Sequence, residues 1–261
     1  MRALQIAATG MSAQQMRVEV ISNNLANMST TGYNARRAEF ADLHYQQMTR
    51  PGTITANDGT VVPAGVQLGL GVRPAAVSVT LAQGSLAATN GDLDVAIDGH
   101  GYLEVTLPSG LSAYTRDGGL KRSPDGQIVN SDGYSVVPGI TIPQETRALA
   151  INAAGEVYAY FSDRTEPELL GQFTLASFTN EKGLEAIGSN LFLETGASGP
   201  PQAGAPGEAG LGTLRQGYLE ESSVDPVREI TELIKAQRGY ELNAKVITAA
   251  DQMLGATTQV R

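Results

Sequence analysis

Residues 4–28 read LQIAATGMSAQQMRVEVISNNLANM, and the apolar side chains of this stretch recur at alternating spacings of three and four residues. The members of this row are Leu4, Ala7, Met11, Val18, Ile21, Leu25 and Met28, and only Gln14 interrupts it. Such spacing places every member on one narrow face of a helix. We therefore predict a helix from about Arg2 to Met28 that packs along a single seam.

A matching apolar row lies near the other end of the chain. Its members are Leu233, Tyr240, Ile247 and Leu254, at seven-residue intervals, with Ile230, Ile234, Ala236, Ala250 and Met253 beside them. Asp225 is suited to cap this second helix and Pro226 to occupy its first position. We predict that the two helices form a coiled-coil base whose assembly seam consists of Leu4, Met11, Val18, Ile21 and Leu25 together with Leu233, Tyr240, Ile247 and Leu254.

The two rows are too narrow to hold the helices together alone. Burying one large apolar side chain contributes about 1.5–3 kcal/mol, whereas fixing one backbone residue costs about 1–2 kcal/mol. A single pair of helices also leaves most of each helix surface in water. We therefore expect the termini to become ordered between neighbouring copies of the chain. The alternative is a two-helix base that packs on its own globular domain.

The middle of the chain is typical of short strands and turns. The sequence holds 30 glycines and 12 prolines in 261 residues, a composition that favours many turns. Within residues 93–107, alternating apolar residues flank Asp98-Gly99-His100-Gly101, which predicts a hairpin with a four-residue loop. The predicted fold class is α+β, with long terminal helices and a central antiparallel all-β domain.

Composition also suggests the domain boundaries. We assign residues 1–32 and 222–261 to a terminal helical domain and residues 73–194 to the central β-domain. Residues 33–72 and 195–221 are predicted to be extended linking segments, because residues 195–212 are dense in glycine and proline.

Charge and residue usage exclude several classes of protein. The formal net charge is −9, and it is carried by the middle of the chain because the charges of the two ends cancel. An acidic chain without a basic patch argues against nucleic-acid binding. The absence of cysteine excludes disulfides, thiolate nucleophiles and cysteine-based metal sites. We expect no membrane span and no Sec signal peptide, since no apolar run of the required length occurs.

Motifs for catalysis or metal binding are missing. The two histidines, His44 and His100, lie far apart and lack a second plausible ligand nearby. Asp92, Asp94 and Asp98 do not match a calcium loop, because Ala96 occupies a ligand position. We expect no catalytic residue, no metal and no cofactor. One enzymatic alternative, a cell-wall glycan hydrolase, would use a carboxylate pair such as Asp94 and Glu104.

Two stretches carry a resemblance to a known family. Residues 22–33, SNNLANMSTTGY, resemble the N-terminal signature of flagellar rod and hook proteins, through Asn23, Asn24, Asn27, Gly32 and Tyr33. Residues 225–254 resemble the C-terminal helix of that family, and QRGYELNAK at residues 237–245 is most similar to the distal rod subunit. Gly239 departs from the family pattern, which more often has alanine there, and should cost about 1 kcal/mol of helix propensity.

The resemblance implies a structural subunit of a self-assembling axial polymer. Its terminal helices would form the inner tube of the flagellar distal rod, and its acidic β-domain would face outward and help to transmit torque through the cell envelope. Implied partners are further copies of the chain, proximal rod and hook subunits, the surrounding ring proteins and the flagellar export apparatus. The implied location is the periplasm-spanning basal body, reached without a cleaved signal peptide. A proximal rod or hook subunit is the nearest alternative.

Two sets of polar residues have more than one interpretation. The loop that contains Thr53, Asn57, Asp58, Gly59, Pro63 and Gly65 lies in the segment that, by resemblance, distinguishes the distal rod from the hook, so we predict a subunit contact there. The alternative is a solvated surface loop. Likewise, the amides of Asn23, Asn24 and Asn27 either mark a fraying helix end or bridge to neighbouring chains.

Overall fold

A computed structural model describes residues 2–49, 64–164, 166–208 and 210–259. Two long helices lie at the ends of the chain: α1 (Arg2–Ala26) and α2 (Pro226–Gln259). The cap predicted for α2 is confirmed, since Oδ1 of Asp225 accepts the N–H groups of Val227 at 2.9 Å and Arg228 at 3.2 Å. Among the described residues, no helix combines the length and the apolar character needed to cross a membrane.

The predicted end of α1 at Met28 is two residues too far. The helix stops at Ala26 and passes into a turn in which the N–H of Thr30 donates to the carbonyl of Asn27 at 3.2 Å. The hydroxyl of Thr30 also donates to the side-chain oxygen of Asn27 at 3.1 Å. These local bonds satisfy groups that would otherwise continue the helix.

Between the helices, the described residues form strands with short connections. In chain order the strands are β1 (Arg36–Asp42), β2 (Tyr45–Thr49), β3 (Val66–Gly69), β4 (Val72–Val79), β5 (Leu86–Ala88), β6 (Val95–Asp98), β7 (Tyr102–Thr106), β8 (Ser112–Thr115), β9 (Lys121–Arg122), β10 (Ile128–Val129), β11 (Ser135–Val136), β12 (Thr146–Ile151), β13 (Glu156–Phe161), β14 (Glu168–Gln172), β15 (Leu175–Ser177), β16 (Glu185–Gly188), β17 (Leu191–Leu193), β18 (Gln202–Gly204), β19 (Thr213–Gln216) and β20 (Tyr218–Glu220). One turn of 3₁₀-helix, Glu181–Gly183, precedes β16.

The chain divides into two compact units. The first, which we call the helical unit, comprises residues 1–25, 36–78 and 225–261. It contains both long helices and two strand pairs, β1 with β4 and β2 with β3. Its most buried side chains are mainly small: Ala7, Ala13, Ile21, Asn24, Ala236 and Ala250. Small residues in these positions let helix backbones approach one another closely.

The second unit, which we call the β unit, comprises residues 26–35 and 79–224. Its largest sheet has nine strands, with β16-β17-β8-β7-β11-β10-β9 as the main path and β15 joining β7 to β18. A separate sheet has the order β12-β13-β14, and two further pairs are β19 with β6 and β20 with β5. The core is aliphatic around Phe173, which is fully buried together with Ile97, Leu103, Leu175 and Val157. The predicted α+β class with a central antiparallel β-domain is therefore confirmed.

The predicted hairpin between β6 and β7 is wrong. Strand β6 pairs with β19, so that Asp98 lies opposite Thr213, whereas β7 pairs with β8, β11 and β15. Gly99 and Gly101 adopt φ values of +118° and +130°, which favour glycine, and the chain crosses there from one sheet to the other. A Cβ at Gly99 would lie 2.9 Å from Cα of Gly212. The turn residues are therefore used for a sheet-to-sheet crossing.

The segment predicted to link the domains at residues 195–221 differs from the prediction. It contains β18, β19 and β20, and Leu211 and Leu214 from this segment are buried in the core of the β unit. The glycines and prolines lie before β18, at its last residue Gly204, and in the turns that follow it. Residues 33–72, the other predicted linking segment, contain β1, β2 and β3.

Candidate functional site

Helices α1 and α2 contact each other in antiparallel order. Beginning at the end of α1, Asn24 donates from Nδ2 to Glu229 at 3.3 Å, and Arg17 forms an ion pair with Glu232. Further along, a Cβ built at Gly239 would lie 3.1 Å from Cδ of Gln14. Near the start of α1, a Cβ at Gly10 would lie 3.0 Å from the side-chain amide of Asn243. Each helix thus receives a polar side chain of its partner over a glycine.

The residues predicted to form the assembly seam are unevenly covered within one chain. On α1, Ile21 is buried, and Leu4, Met11, Val18 and Leu25 are half-buried. On α2, Leu233 and Ile247 are half-buried, whereas Tyr240 and Leu254 keep 45% and 38% of their surface exposed. A single chain therefore leaves part of the seam accessible, most of all on α2.

A second apolar row on α2 was only partly recognised in the sequence. Its exposed members are Val227, Ile230, Ile234, Leu242, Val246 and Met253. Ile230, Ile234 and Met253 were noted as neighbours of the heptad row, but Val227, Leu242 and Val246 were missed. The available signal was the spacing of three and four residues from Val227 to Ile230 and Ile234, and of four residues from Leu242 to Val246. So many exposed large apolar side chains on one helix are typical of an interaction surface.

Charged groups flank the contact between the helices. Lys235 donates to the carboxylate of Glu232 at 2.8 Å, and Arg17 pairs with the same carboxylate. The hydrogen bond from Lys235, followed by the charge of Arg17, holds the pKa of Glu232 below its ordinary value. Glu232 therefore stays ionised at neutral pH and joins one charge on its own helix to one on α1.

The asparagine-rich motif at the end of α1 is used partly within the chain. Asn24 is 1% exposed, and its amide forms two bonds to Arg36: Oδ1 accepts the backbone N–H at 2.9 Å, and Nδ2 donates to the carbonyl at 2.8 Å. Asn27 accepts the hydroxyl of Thr30 as described above. Asn23 lies on the exposed side of α1. The amide of Asn24 is therefore buried, and it holds the end of α1 against the start of β1 at Arg36.

Gly32 and Tyr33, the other two motif residues, are positioned within the β unit. Gly32 has a φ of +64°, and a Cβ there would lie 2.9 Å from backbone atoms of Arg116 and Asp117. Its N–H donates to the carbonyl of Glu220 at 2.8 Å, and the carbonyl of Tyr33 accepts the N–H of Ser223 at 3.0 Å. Only glycine fits position 32, for reasons of both backbone angle and space.

Most of the loop predicted to contact other subunits lies outside the described residues. This applies to Thr53, Asn57, Asp58, Gly59 and Pro63, whereas Gly65 directly precedes β3. The strands on either side of the loop pair with each other, with Gln46 opposite Leu68. That two-stranded ribbon exposes Tyr45, Met48, Val66 and Leu68. Two-stranded ribbons are marginally stable by themselves in water.

The structure assembles no metal-binding group among the residues it describes. His100 lies 3.7 Å from the carboxylate of Glu181 and is largely exposed, and His44 is exposed beside β2. Glu104 lies opposite Tyr114 in neighbouring strands of the large sheet. Asp94 accepts a hydrogen bond from the hydroxyl of Thr89 at 2.5 Å.

Three family profiles match successive parts of the chain. Residues 4–34 match "Flagella basal body rod protein", residues 96–159 match "Flagellar hook protein FlgE/F/G D1 domain", and residues 215–260 match "Flagellar basal body rod FlgEFG protein C-terminal". The first and last matches include α1 and α2 with the seam residues described above.

Full-length relatives carry the same description. The chain is 54% identical to the flagellar basal-body rod protein FlgG of Caulobacter vibrioides, with both chains covered completely. It is 47% identical to FlgG of Agrobacterium fabrum and 35% identical to FlgG of Bacillus subtilis, with 97% of each chain covered. The chain therefore belongs to the flagellar basal-body rod protein family, as a structural subunit of the distal-rod type and not an enzyme.

Proposed function

We propose that copies of this chain assemble with one another through their terminal helices into the wall of a rod. The observation that carries this proposal is the apolar surface that α2 keeps exposed in a single chain. Tyr240 and Leu254 on the seam, and Leu242 and Met253 on the second row, are each at least 38% exposed. A helix exposed in this way on two sides gains burial only from neighbours other than α1.

In this proposal the terminal helices are a coiled-coil-like base that is completed between copies. The antiparallel contact of α1 with α2 covers one side of each helix, where Gln14 packs on Gly239 and Asn243 packs on Gly10. Neighbouring copies cover the remaining apolar side chains and order the helix ends. The acidic β unit faces outward and takes part in transmitting torque.

The partners follow from membership of the family. We propose proximal rod and hook subunits as the proteins at the two ends of the polymer, and the envelope rings as the proteins around it. Export proceeds through the flagellar export apparatus without cleavage of a signal peptide. The basal body is the corresponding location.

The test places a charge on the seam. We expect Leu25→Asp and Ile247→Asp each to abolish polymers of the purified chain, because a carboxylate buried between helices loses its hydration. The thermal transition of the β unit should stay unchanged, since neither residue belongs to it. Electron microscopy and sedimentation report the polymer, and calorimetry reports the β unit.

Matched controls place the same charge on exposed positions of the same helices. Ser22→Asp on α1 and Ala249→Asp on α2 should polymerise, because neither position belongs to the assembly seam or to the other exposed apolar residues of α2. Polymers of normal length from Leu25→Asp would contradict the proposal. A loss of stability of the dilute monomer would instead assign the seam to an intramolecular core.

A further inference from the structure

The chain passes between the helical unit and the β unit four times. These passages occur after residues 25, 35, 78 and 224. Within the β unit they belong to three segments, residues 26–35, residues 79–85 and residues 220–224. Whatever holds these three segments to one another therefore controls every covalent connection into the β unit.

Backbone hydrogen bonds join the three segments directly. The N–H of Gly32 donates to the carbonyl of Glu220 at 2.8 Å, and the N–H of Ser223 donates to the carbonyl of Tyr33 at 3.0 Å. The N–H of Thr80 donates to the carbonyl of Ala35 at 2.8 Å. Each segment is thus bonded to at least one of the others close to a passage.

A buried ion pair contacts two of these segments. The guanidinium of Arg116 contacts Oε2 of Glu220 through Nε at 2.9 Å and Nη2 at 2.8 Å, and the two side chains are 8% and 2% exposed. Nη1 donates to the carbonyl of Gly101 at 3.0 Å, and Nη2 to that of Gly99 at 3.1 Å. Oε1 of Glu220 accepts the N–H of Gly84 at 3.0 Å. The pair therefore joins two of the three segments to each other and to the rest of the β unit.

Close packing leaves little freedom around this pair. A Cβ at Gly84 would lie 1.9 Å from the carbonyl oxygen of Glu221, and a Cβ at Gly32 would meet the backbone that carries Arg116. Removing one member of a buried ion pair leaves an uncompensated charge, so partial opening is unfavourable. Opening the segment that carries Glu220, or the segment that carries Gly84, therefore removes hydrogen bonds from the buried pair.

We infer that Arg116 and Glu220 form a clasp that makes the three segments open and close as one cooperative unit. The three segments, which carry all four passages of the chain, then move together. In the assembled rod, a consequence that rests on the proposed function, load passing between the two units is shared by all four connections. Neither residue belongs to the assembly seam or to the family motif, so this role is additional to theirs.

Native-state hydrogen exchange of the full-length monomer tests the clasp without requiring a polymer. The probes are the N–H groups of Gly32, Thr80, Gly84 and Ser223, and core amides of β7 such as Val105 serve as the reference. In the unmodified chain we expect the four probes to share one opening equilibrium. Glu220→Gln, which keeps the shape but removes the charge, should accelerate exchange at all four by at least about tenfold, with the β7 amides changed less.

A second variant and a control make the result decisive. Arg116→Met should accelerate the same four amides, and Glu220→Gln alone is sufficient if that variant does not fold. Asp98→Asn removes an exposed ion pair of the same unit, in which Arg215 and Asp98 are 3.8 Å apart, and should change the four amides by less than about twofold. Acceleration at Gly84 alone would reduce the pair to a local contact and overturn the inference. Equal acceleration of the β7 amides would overturn it too, by making the pair part of the global core.

Discussion

The side chain of Gln14 lies over Gly239 on the facing helix, and a Cβ at position 239 would come within 3.1 Å of Cδ of Gln14. Each residue is a defect in its own helix: Gln14 interrupts an apolar row, and Gly239 has poor helix propensity. Because Gly239 has no side chain, the long side chain of Gln14 fits against the backbone of α2 at this position. The same arrangement recurs at Gly10 and Asn243. Two such contacts, at different positions along the helix axes, favour one register of the antiparallel helices.

This contact predicts non-additive substitutions. Gly239→Ala should gain about 1 kcal/mol of helix propensity only after Gln14→Ala has removed the facing side chain. In the chain with Gln14, the new methyl group displaces that side chain, and the two substitutions should be coupled by about 0.5 kcal/mol or more. Denaturant unfolding followed by far-ultraviolet circular dichroism measures the difference. Ser12→Ala, at an exposed position of α1, should stabilise equally with glycine or alanine at position 239. A full gain from Gly239→Ala with Gln14 present would contradict the contact.

Gly32→Ala should destabilise the β unit far more than a glycine substitution normally does. The new Cβ would meet the backbone of Arg116 and Asp117 in addition to the unfavourable φ of +64°, and we expect a loss of about 3 kcal/mol or more. Gly110→Ala is the matched control, because its φ is +81° but nothing lies within 4 Å; it should cost about 1–2 kcal/mol. Equal losses in calorimetry would mean that the backbone angle alone matters.

The stability of the β unit should depend on pH through Asp117. Burial raises the pKa of this carboxyl, and Asp132 and Asp94 raise it further, against the hydrogen bond from Gly119 and the charge of Lys121. The folded protein therefore binds the proton more tightly than the unfolded chain. Consequently, the contribution of Asp117 to the free energy of unfolding falls as pH rises from the ordinary aspartate range through the raised pKa.

Asp117→Asn removes this charge and keeps an oxygen that can accept the N–H of Gly119, which now donates to Oδ1 at 3.0 Å. We expect a higher Tm than that of the unmodified chain at about pH 7, and no difference near pH 3, where both side chains are neutral. Asp125→Asn, at an exposed position of a turn, should show no such pH-dependent gain. A lower Tm for Asp117→Asn at neutral pH would contradict the assignment.

Deleting Thr53–Gly65 should make rods more flexible without preventing their assembly. The deleted segment begins beyond β2 and ends before β3, and the ribbon that these strands form exposes Tyr45 and Met48. We expect contacts between subunits in this region to govern bending, whereas the helical seam governs cohesion. Electron microscopy of curved rods in normal number would support this separation. Straight rods of unchanged length, or a complete absence of rods, would count against it.

Local sequence determined the features that depend on residues close together in the chain. The heptad rows gave both helices, and the capping preference of Asp225 gave the start of α2, because a helix is held by bonds between residues four apart. Turn-forming residues gave a β-rich middle, and a short motif pointed to the correct family.

Tertiary structure alone decided which distant segments meet. Strand β6 pairs with β19 and not with the adjacent β7, Leu211 and Leu214 enter the core from a segment that resembles a linker, and Arg116 finds Glu220 at a separation of 104 residues. Periodicity shows which face of a strand is buried, but it does not identify the strand beside it. A buried charge likewise needs a partner without specifying where in the chain that partner lies. These choices are made by packing the whole β unit at once, because every backbone group and charge must be satisfied simultaneously.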